Sequence, residues 1–264
     1  MFGKFCILLL TFLACWNPSP LFAVSLATLD HLHDVGKTQD DRLNVESLLL
    51  ESLENSMEKE DELAWRLARS YYSLGQLSKQ DDARKRYYSQ CIVRGQEAID
   101  LNKTSAPAYF YRGLCTGKKG EMDGIFKSLD VIEPFKKDME KARKLNPKLE
   151  HGGPSRALSK LYLELPFFLG GSLKKSLQFA KEAVVSGPEY DENHLYLAQI
   201  YLKNDQPLRA QNALSNYRTT ARDPKLHPEA LSIHQQAAAL KEEIAARIEQ
   251  ARMDEENDAY EFKN

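Results

Sequence analysis

The chain has 264 residues, which is enough for one sizeable domain or a short array of repeats. Hydrophobic residues make up 42% of it and charged residues 28%, which fits a water-soluble globular protein. The net charge is −2 and no basic stripe is evident along the linear sequence, which argues against nucleic acid as a partner.

The first 23 residues have the pattern of a targeting signal. Lys4 precedes an apolar run over residues 5–16, and Ala23 offers a small residue at a possible cleavage position. The run is too short to cross the roughly 30 Å hydrocarbon core as a helix, so an uncleaved anchor fits it less well. We predict a cleaved signal peptide and a periplasmic or envelope location. The alternative is lipidation at Cys15, because residues 12–15 loosely resemble a bacterial lipobox.

Residues 24–40 follow the predicted cleavage position. They contain two histidines, His31 and His33, flanked by Asp30 and Asp34. Two histidines at i and i+2 point to different faces of a helix, so a metal site would require an extended segment here. We predict a solvated polar segment of doubtful order, with metal ligation as the alternative.

Two cysteines, Cys91 and Cys115, remain once Cys6 and Cys15 are assigned to the signal. Export would permit a disulfide between them. We favour two small buried thiols on helices, because cysteine is among the residue types most often buried.

Helical spacing of apolar residues dominates from about Asp40 onward, and no stretch alternates between polar and apolar residues as a strand does. The predicted helices are Arg42–Asn55, Glu62–Leu74, Ala83–Leu101 and a long polar helix, Glu229–Met253. This last helix would cap the array, as the end of a solenoid requires. We therefore divide the chain into a signal (1–23), a short segment (24–40), a helical domain (41–253) and a frayed acidic tail (254–264).

Internal similarity is the strongest signal in the sequence. Small residues recur before helix-ending turns at Ala98, Ala142 and Ala183, and a large–small–Tyr pattern recurs in Leu67–Tyr71 and Leu197–Tyr201. A small residue lets two helices approach closely, and the following turn sets the angle of the next helix. The pattern resembles the tetratricopeptide repeat (TPR), although its spacings of 44 and 41 residues exceed the usual 34. We predict an all-α fold: an irregular TPR-like helix-pair array, or α-solenoid, with a C-terminal capping helix.

A narrower resemblance comes from Trp65–Arg69, His151–Leu158, Leu161–Pro166, Gly170–Ser172 and Glu189–Ala198. These segments resemble the T-component (TatT) family, the periplasmic TPR proteins associated with tripartite ATP-independent periplasmic (TRAP) transporters. The resemblance implies an exported protein that can form a homotrimer and dock a TRAP solute-binding subunit. It also implies a cavity for an apolar organic acid.

Motifs for catalysis are weak. The loop His151–Gly153 resembles an oxyanion loop, but the chain lacks the G-x-S-x-G motif that such a hydrolase needs. We predict instead a helix-to-helix joint with Pro154 at the start of the next helix. Residues 170–176 lack the spacing of a phosphate-binding loop. The sequence therefore predicts no enzyme, no cofactor and no metal.

The first helices of TPR pairs usually form a concave binding face, and their positions can be projected from the repeat register. The projected ligand- and partner-binding residues are Trp65, Arg69, Tyr72, Phe110, Lys118, Arg156, Lys160 and Lys203. Arginine can hold a carboxylate through two parallel hydrogen bonds, and aromatic rings exclude water around an apolar body. The alternative is that the aromatic side chains belong to the hydrophobic core and that the cationic side chains are solvated on the surface. Phe167 and Phe168 are interpreted as a cavity lip, a contact with another copy, or a lid over the core.

Two functions are compatible with these patterns. The first is a transport accessory that binds a TRAP solute-binding subunit and a small organic acid. The alternative is an envelope protein–protein interaction adaptor without a small ligand, which needs only the generic repeat signature.

Overall fold

The computed structural model describes residues 24–55, 59–123, 125–217 and 228–261. Within these ranges the chain forms α-helices and short 3-10 turns, and no strand. The helices are α1 (Leu26–Val35), α2 (Gln39–Asn55), α3 (Glu60–Leu77), α4 (Asp81–Leu101), α5 (Ala106–Asp123), α6 (Ile125–Leu145), α7 (Gly153–Glu164), α8 (Leu173–Ser186), α9 (Asp191–Lys203), α10 (Pro207–Leu214) and α11 (Pro228–Glu261). The 3-10 turns are Leu149–His151 and Phe167–Leu169. No helix in this part of the chain combines the length and the apolar content needed to cross a bilayer.

Consecutive helices form the pairs that the repeat pattern predicts. Within each pair the packing is extensive and joins α3 with α4, α5 with α6, α7 with α8 and α9 with α10, and α4 also packs extensively on α5 of the next pair. The predicted all-α helix-pair array is therefore confirmed. Part of the extra repeat length lies inside helices, since α5 and α6 have 18 and 21 residues, and part lies in the connection between α7 and α8, which contains the 3-10 turn Phe167–Leu169.

Small residues sit where paired helices cross. Ala98 and Ala142 are fully buried, and Gly75 of α3 faces the ring of Tyr88 on α4. A Cβ atom on Gly75 would lie 2.4 Å from Tyr88 Cε1, which is far inside van der Waals contact. A methyl group there would force α3 and α4 apart, so the small–large pairing sets their spacing.

Helix α11 caps the array, as predicted. Its apolar residues Ala237, Leu240 and Ile244 are buried in the same hydrophobic cluster as Ala198 and Ile200 of α9. The rest of the core, which extends from α1 to α8, forms a separate cluster. Helix α11 continues through the acidic residues to Glu261 and measures about 50 Å.

The segment after residue 24 is a helix, so the prediction of a solvated segment of doubtful order was wrong. Ser25 caps α1, and its hydroxyl accepts a hydrogen bond from Thr28 N at 3.1 Å. Leu29 is fully buried in the main core cluster and His33 is also buried. One apolar anchor and one cap suffice for this short helix because α2 and α3 supply a surface for it to cover.

Cys91 of α4 and Cys115 of α5 form a disulfide, with their Cα atoms 6.2 Å apart. The prediction of two free buried thiols was therefore wrong, although both residues are fully buried as expected. The bond joins the second helix of one pair to the first helix of the next. Sequence spacing alone could not show this, because which faces of α4 and α5 meet depends on the packing of the whole array.

Candidate functional site

A cavity of about 740 Å³ lies between the first helices of three successive pairs, α3, α5 and α7. The first half of α6 and the start of α9 complete its wall. The lining includes five of the eight predicted binding residues, which are Tyr72, Phe110, Lys118, Arg156 and Lys160. The repeat register thus brings residues from three pairs to one cavity.

The body of the cavity is apolar. Phe110, Leu114, Phe135 and Leu161 line it from three helices. The hydroxyl of Tyr72 accepts a hydrogen bond from Gln76 Nε2 at 2.8 Å, and burial raises the pKa of Tyr72, so the phenol stays neutral. Such a surface favours an apolar group over a charged one.

Four of the charged residues at the cavity form ion pairs within one helix. Lys118 Nζ lies 2.8 Å from Glu121 Oε2, and Lys160 Nζ lies 3.7 Å from Glu164 Oε1. Burial disfavours the ammonium of Lys118, but the hydrogen bond and charge of Glu121 outweigh it, so the pKa of Lys118 is raised. The rim therefore offers both signs of charge at short spacing.

Arg156 is positioned by a buried asparagine that the repeat pattern did not reveal. Its Nη1 donates to Asn193 Oδ1 at 2.8 Å, and its guanidinium lies 4.7 Å from the ring centroid of Tyr190. Asn193 Nδ2 in turn donates to the carbonyl oxygens of His151, Ala183 and Gly187, at 2.8, 3.0 and 2.9 Å. Asn193 thus ties the turn before α7 to the end of α8. In the sequence, the only sign of this role is an asparagine near the start of a helix. Such an asparagine can cap its own helix or connect two other segments, and the sequence does not distinguish the two roles.

Three predicted binding residues lie outside the cavity. Trp65 stacks against guanidinium groups, with Arg66 at 4.1 Å and Arg69 at 5.3 Å from its ring centroid. Arg69 Nη2 donates to Asp30 Oδ1 of α1 at 2.6 Å. Lys203 lies in a different groove, between α9 and α11. Trp65 and Arg69 contribute to a structural contact because α1, which was expected to be a solvated segment, packs against this part of α3.

Asp30 is the centre of that contact. Arg66 donates to both of its carboxylate oxygens, Nε to Oδ1 at 2.9 Å and Nη2 to Oδ2 at 2.7 Å. Burial raises the pKa of the Asp30 carboxyl, but the hydrogen bonds and charges of Arg66 and Arg69 outweigh it, so the pKa is lowered. Charge-assisted, two-point pairing of this kind fixes the orientation of one helix on another.

His33 lies beside the same cationic cluster. Burial lowers its pKa from 6.5 to about 2, and the positive charges of Arg69, Arg42 and Lys37 add to the effect. The imidazole is therefore neutral at physiological pH. In the described ranges, no group of three His, Cys, Asp or Glu side chains is placed to hold a metal ion.

Two loops were singled out in the sequence, and the structure agrees with the prediction for the first but not with one of the interpretations of the second. His151–Pro154 is the predicted joint: Gly152 has φ 82°, and α7 begins at Gly153 with Pro154 in its first turn. Phe167 and Phe168 are 92% and 83% exposed, so their interpretation as a lid over the core was wrong.

Comparison with known proteins gives a family similarity. The family model described as "RMD1-3: Regulator of microtubule dynamics protein 1-3" matches residues 25–151, from α1 to the turn before α7. Regulator of microtubule dynamics protein 1 of Mus musculus is 26% identical over 203 residues, covering 70% of this chain and 64% of that protein. Regulator of microtubule dynamics protein 3 of Mus musculus is 28% identical over 127 residues, covering 48% of this chain and 26% of that protein. The chain therefore spans less than two thirds of the length of these relatives.

Among solved structures, a thermophilic TPR protein of Thermus thermophilus superposes with a TM-score of 0.58 at 15% identity. The superposition covers 81% of this chain and 96% of that one. At this identity the similarity concerns the fold alone, and it agrees with the TPR-like architecture.

These findings overturn the assignment to the TRAP T-component family. The motifs quoted for it are mostly residues at helix crossings and turns, such as Ala68 and Gly152, which any array of this type needs. The family match instead begins with α1, whose Asp30 played no part in the T-component resemblance. The TRAP solute-binding subunit, the small organic acid and the homotrimer were therefore wrong as partners.

The predicted location and the alternative function were wrong for the same reason. The matched relatives are animal proteins named for a regulatory role, not bacterial envelope proteins. The periplasmic location, the lipid anchor and the envelope adaptor accordingly lose their basis. Residues 1–23, including Cys15, lie outside the described residues.

Proposed function

We propose that this chain is a non-catalytic helical-repeat protein of the regulator of microtubule dynamics type, and that it acts by binding a protein segment in the cavity. The observation that carries the proposal is the position of the family match. Residues 25–151 include α3, α5 and α6, which contribute Tyr72, Phe110, Lys118 and Phe135 to the cavity.

The cavity suits a segment of a protein partner. A volume of about 740 Å³ accommodates one or two large apolar side chains between Phe110, Leu114 and Leu161. The paired charges at the rim, such as Lys118 with Glu121, can hydrogen-bond the polar groups on either side of such a side chain. Partner residues that anchor in a pocket of this kind usually dominate the binding energy.

The proposal of a non-catalytic role has its own support. Within the described ranges, the large pKa shifts have a structural cause: burial lowers the pKa of His33, and it raises the pKa values of three tyrosines, which are Tyr71, Tyr111 and Tyr196. The relatives' names likewise refer to regulation rather than to a reaction.

The test is a reconstituted microtubule assay with the purified chain. Single microtubules grow from stabilised seeds, and their growth rate and catastrophe frequency are recorded with and without the protein. The proposal predicts a concentration-dependent change in at least one of these quantities. It also predicts that Ala157→Leu, which adds side-chain volume inside the cavity, abolishes the change while the melting temperature stays high. No effect of the wild-type chain at saturating concentration would refute the proposal.

A further inference from the structure

The outer face of α6 carries a line of lysines. Lys137, Lys141 and Lys144 recur at i, i+4 and i+7, and Lys148 follows at i+11 in the turn after the helix. All four are exposed, and the helical rise spreads the three on α6 over about 10 Å. We refer to these four residues as the α6 lysine stripe. The stripe is not evident along the linear sequence and appears only when the sequence is placed on a helical period.

None of the stripe lysines forms an ion pair with a carboxylate in the part of the chain that the structure describes. Other lysines nearby are neutralised: Lys136 Nζ lies 2.8 Å from Glu133 Oε1, and Lys118 Nζ lies 2.8 Å from Glu121 Oε2. Weaker interactions do occur, since Glu133 and Glu189 attract Lys137 and Lys148 without a direct ion pair and Lys141 Nζ lies 5.9 Å from the ring centroid of Tyr109. The stripe still presents exposed positive charge to solvent, and such a surface attracts acidic partners.

A groove of about 630 Å³ lies between the end of α6 and α8, and its wall reaches the C-terminal end of the stripe through Arg143 and Pro147, the chain neighbours of Lys144 and Lys148. Its own carboxylate is already paired, since Arg143 Nη1 donates to Glu182 Oε2 at 3.1 Å. Leu177 forms part of the wall, and Val185 is 80% exposed at the edge. The remaining lining residues are Pro147, Ser155, Lys174, Gln178, Lys181 and Ser186. The groove shares no lining residue with the cavity between α3, α5 and α7.

Two more exposed lysines, Lys174 and Lys181, flank this groove on α8, about 10 Å apart along the helix. The charge is local. Residues 134–148 contain six Lys and Arg against two Asp and Glu, whereas Pro228–Glu261 contains three against nine. The net charge of −2 is therefore a sum over the whole chain, which has a basic surface in one region and an acidic helix in another.

We propose that the α6 lysine stripe and the adjoining groove bind an acidic protein segment that carries an apolar side chain. The carboxylates would lie along the stripe, and the apolar side chain would enter the groove against Leu177 and Val185. A flat anionic membrane could meet the lysines but could not fill a recessed groove, so the concavity favours a chain segment. The inference rests on the proposed function only in taking the partner to be a protein, and it describes a second contact with that partner.

The binding test uses a fluorescein-labelled synthetic peptide of glutamates with one central leucine, added to the full chain without tubulin. We expect anisotropy to show binding that weakens as salt is raised, since screening acts on exposed charges. The double variant Lys141→Glu/Lys144→Glu should weaken binding by about tenfold or more. The control Lys79→Glu/Lys203→Glu changes the net charge equally at exposed lysines elsewhere and should leave the affinity unchanged.

The groove is tested by a matched pair of exposed valines. Val185→Ser should weaken binding of the leucine-containing peptide several-fold, because the apolar contact is lost. Val93→Ser, at a 55% exposed position on α4, should not. A peptide that contains only glutamates should bind the two valine variants with equal affinity, because it has no apolar side chain to enter the groove.

Three outcomes would overturn the inference. One is an equal loss in both lysine double variants, which would indicate non-specific attraction. Another is binding to vesicles of anionic phospholipid but not to the peptide, which would assign the surface to a membrane. The third is self-association of the chain that Lys141→Glu/Lys144→Glu abolishes, which would assign the surface to the acidic helix of a second copy. Since no tubulin is present, failure here leaves the result of the microtubule assay standing, and the converse also holds.

Discussion

At the scale of single residues, Asp30 holds α1 on α3. Its carboxylate is 31% exposed, whereas the side chains of its partners Arg66 and Arg69 are 8% and 10% exposed. Removing it would leave the largely buried guanidinium of Arg69 without its carboxylate, whereas Arg66 would keep Glu62 Oε2 at 2.6 Å. The cost therefore arises mainly from the buried charge of Arg69 that is left unpaired.

We expect Asp30→Ala to lower the free energy of unfolding by about 2 kcal/mol, because the largely buried guanidinium of Arg69 loses its partner. Chemical denaturation monitored by circular dichroism measures this. Glu51→Ala removes an exposed carboxylate from α2 and serves as the control. Equal stability of the two variants would show that the Asp30 contact does not anchor α1.

His33 should make stability depend on pH. Its pKa in the folded chain, about 2, is below its ordinary value of 6.5, so the unfolded chain binds the proton more readily. The stabilisation is therefore present above pH 6.5 and is lost as the pH falls toward 2. We expect a loss of about 1 kcal/mol between pH 7 and pH 5.5, a window in which ordinary carboxylates do not titrate.

Urea denaturation at several pH values in that window measures the slope of stability against pH. His33→Gln should flatten this slope, whatever its effect on stability at pH 7. A slope that persists in the variant would mean that another group is responsible.

The predicted binding residues show which parts of the site can be predicted from local sequence and which cannot. Tyr72, Phe110 and Lys160 lie beside one cavity, because their positions depend only on helical register within each pair. Trp65 and Arg69 obey the same register, yet α1 packs against them. That contact involves residues about 36 positions apart and is not encoded in any local pattern.

At the scale of elements, the disulfide is the main link that the helical pattern does not reveal. It connects α4 to α5 and closes a loop across a sequence separation of 24 residues. Closing such a loop restricts the unfolded chain and stabilises the fold by about 3 kcal/mol.

We therefore expect the double variant Cys91→Ala/Cys115→Ala to melt at a markedly lower temperature than the oxidised wild type. Scanning calorimetry of the wild type with and without reductant provides the matched comparison. If reduction left the melting temperature unchanged, the disulfide would be shown to contribute nothing to stability.

Helices with long periodic patterns were predictable, and short ones were not. The sequence placed α2, α3 and α4 within about three residues at each end, and the start of α11 within one, because each carries several turns of apolar spacing; α11 extends beyond the predicted end at Met253 to Glu261. Helix α1 has only ten residues, and its buried His33 reads as polar in the sequence. Its stability comes from packing rather than from its own pattern.

At the scale of the whole molecule, the array combines two separate surfaces. The cavity lies between the first helices of three pairs, and the α6 lysine stripe with its groove involves two second helices. The repeat signatures in the sequence were enough to predict the fold class, but they were not enough to predict the family. The signatures report how helices cross, which is common to unrelated arrays, whereas the family match depends on the whole of residues 25–151.

The proposed function assigns an effect on microtubules to the cavity, and one matched pair of variants tests this proposal most directly. Lys160→Glu reverses a charge at the cavity, and Lys203→Glu makes the same change at another predicted binding residue that lies outside it. In the reconstituted growth assay, we predict that Lys160→Glu requires about tenfold more protein for the same change in catastrophe frequency, a loss of about 1.4 kcal/mol. Lys203→Glu should match the wild type. Equal activity of both variants, or a loss confined to Lys203→Glu, would contradict the account.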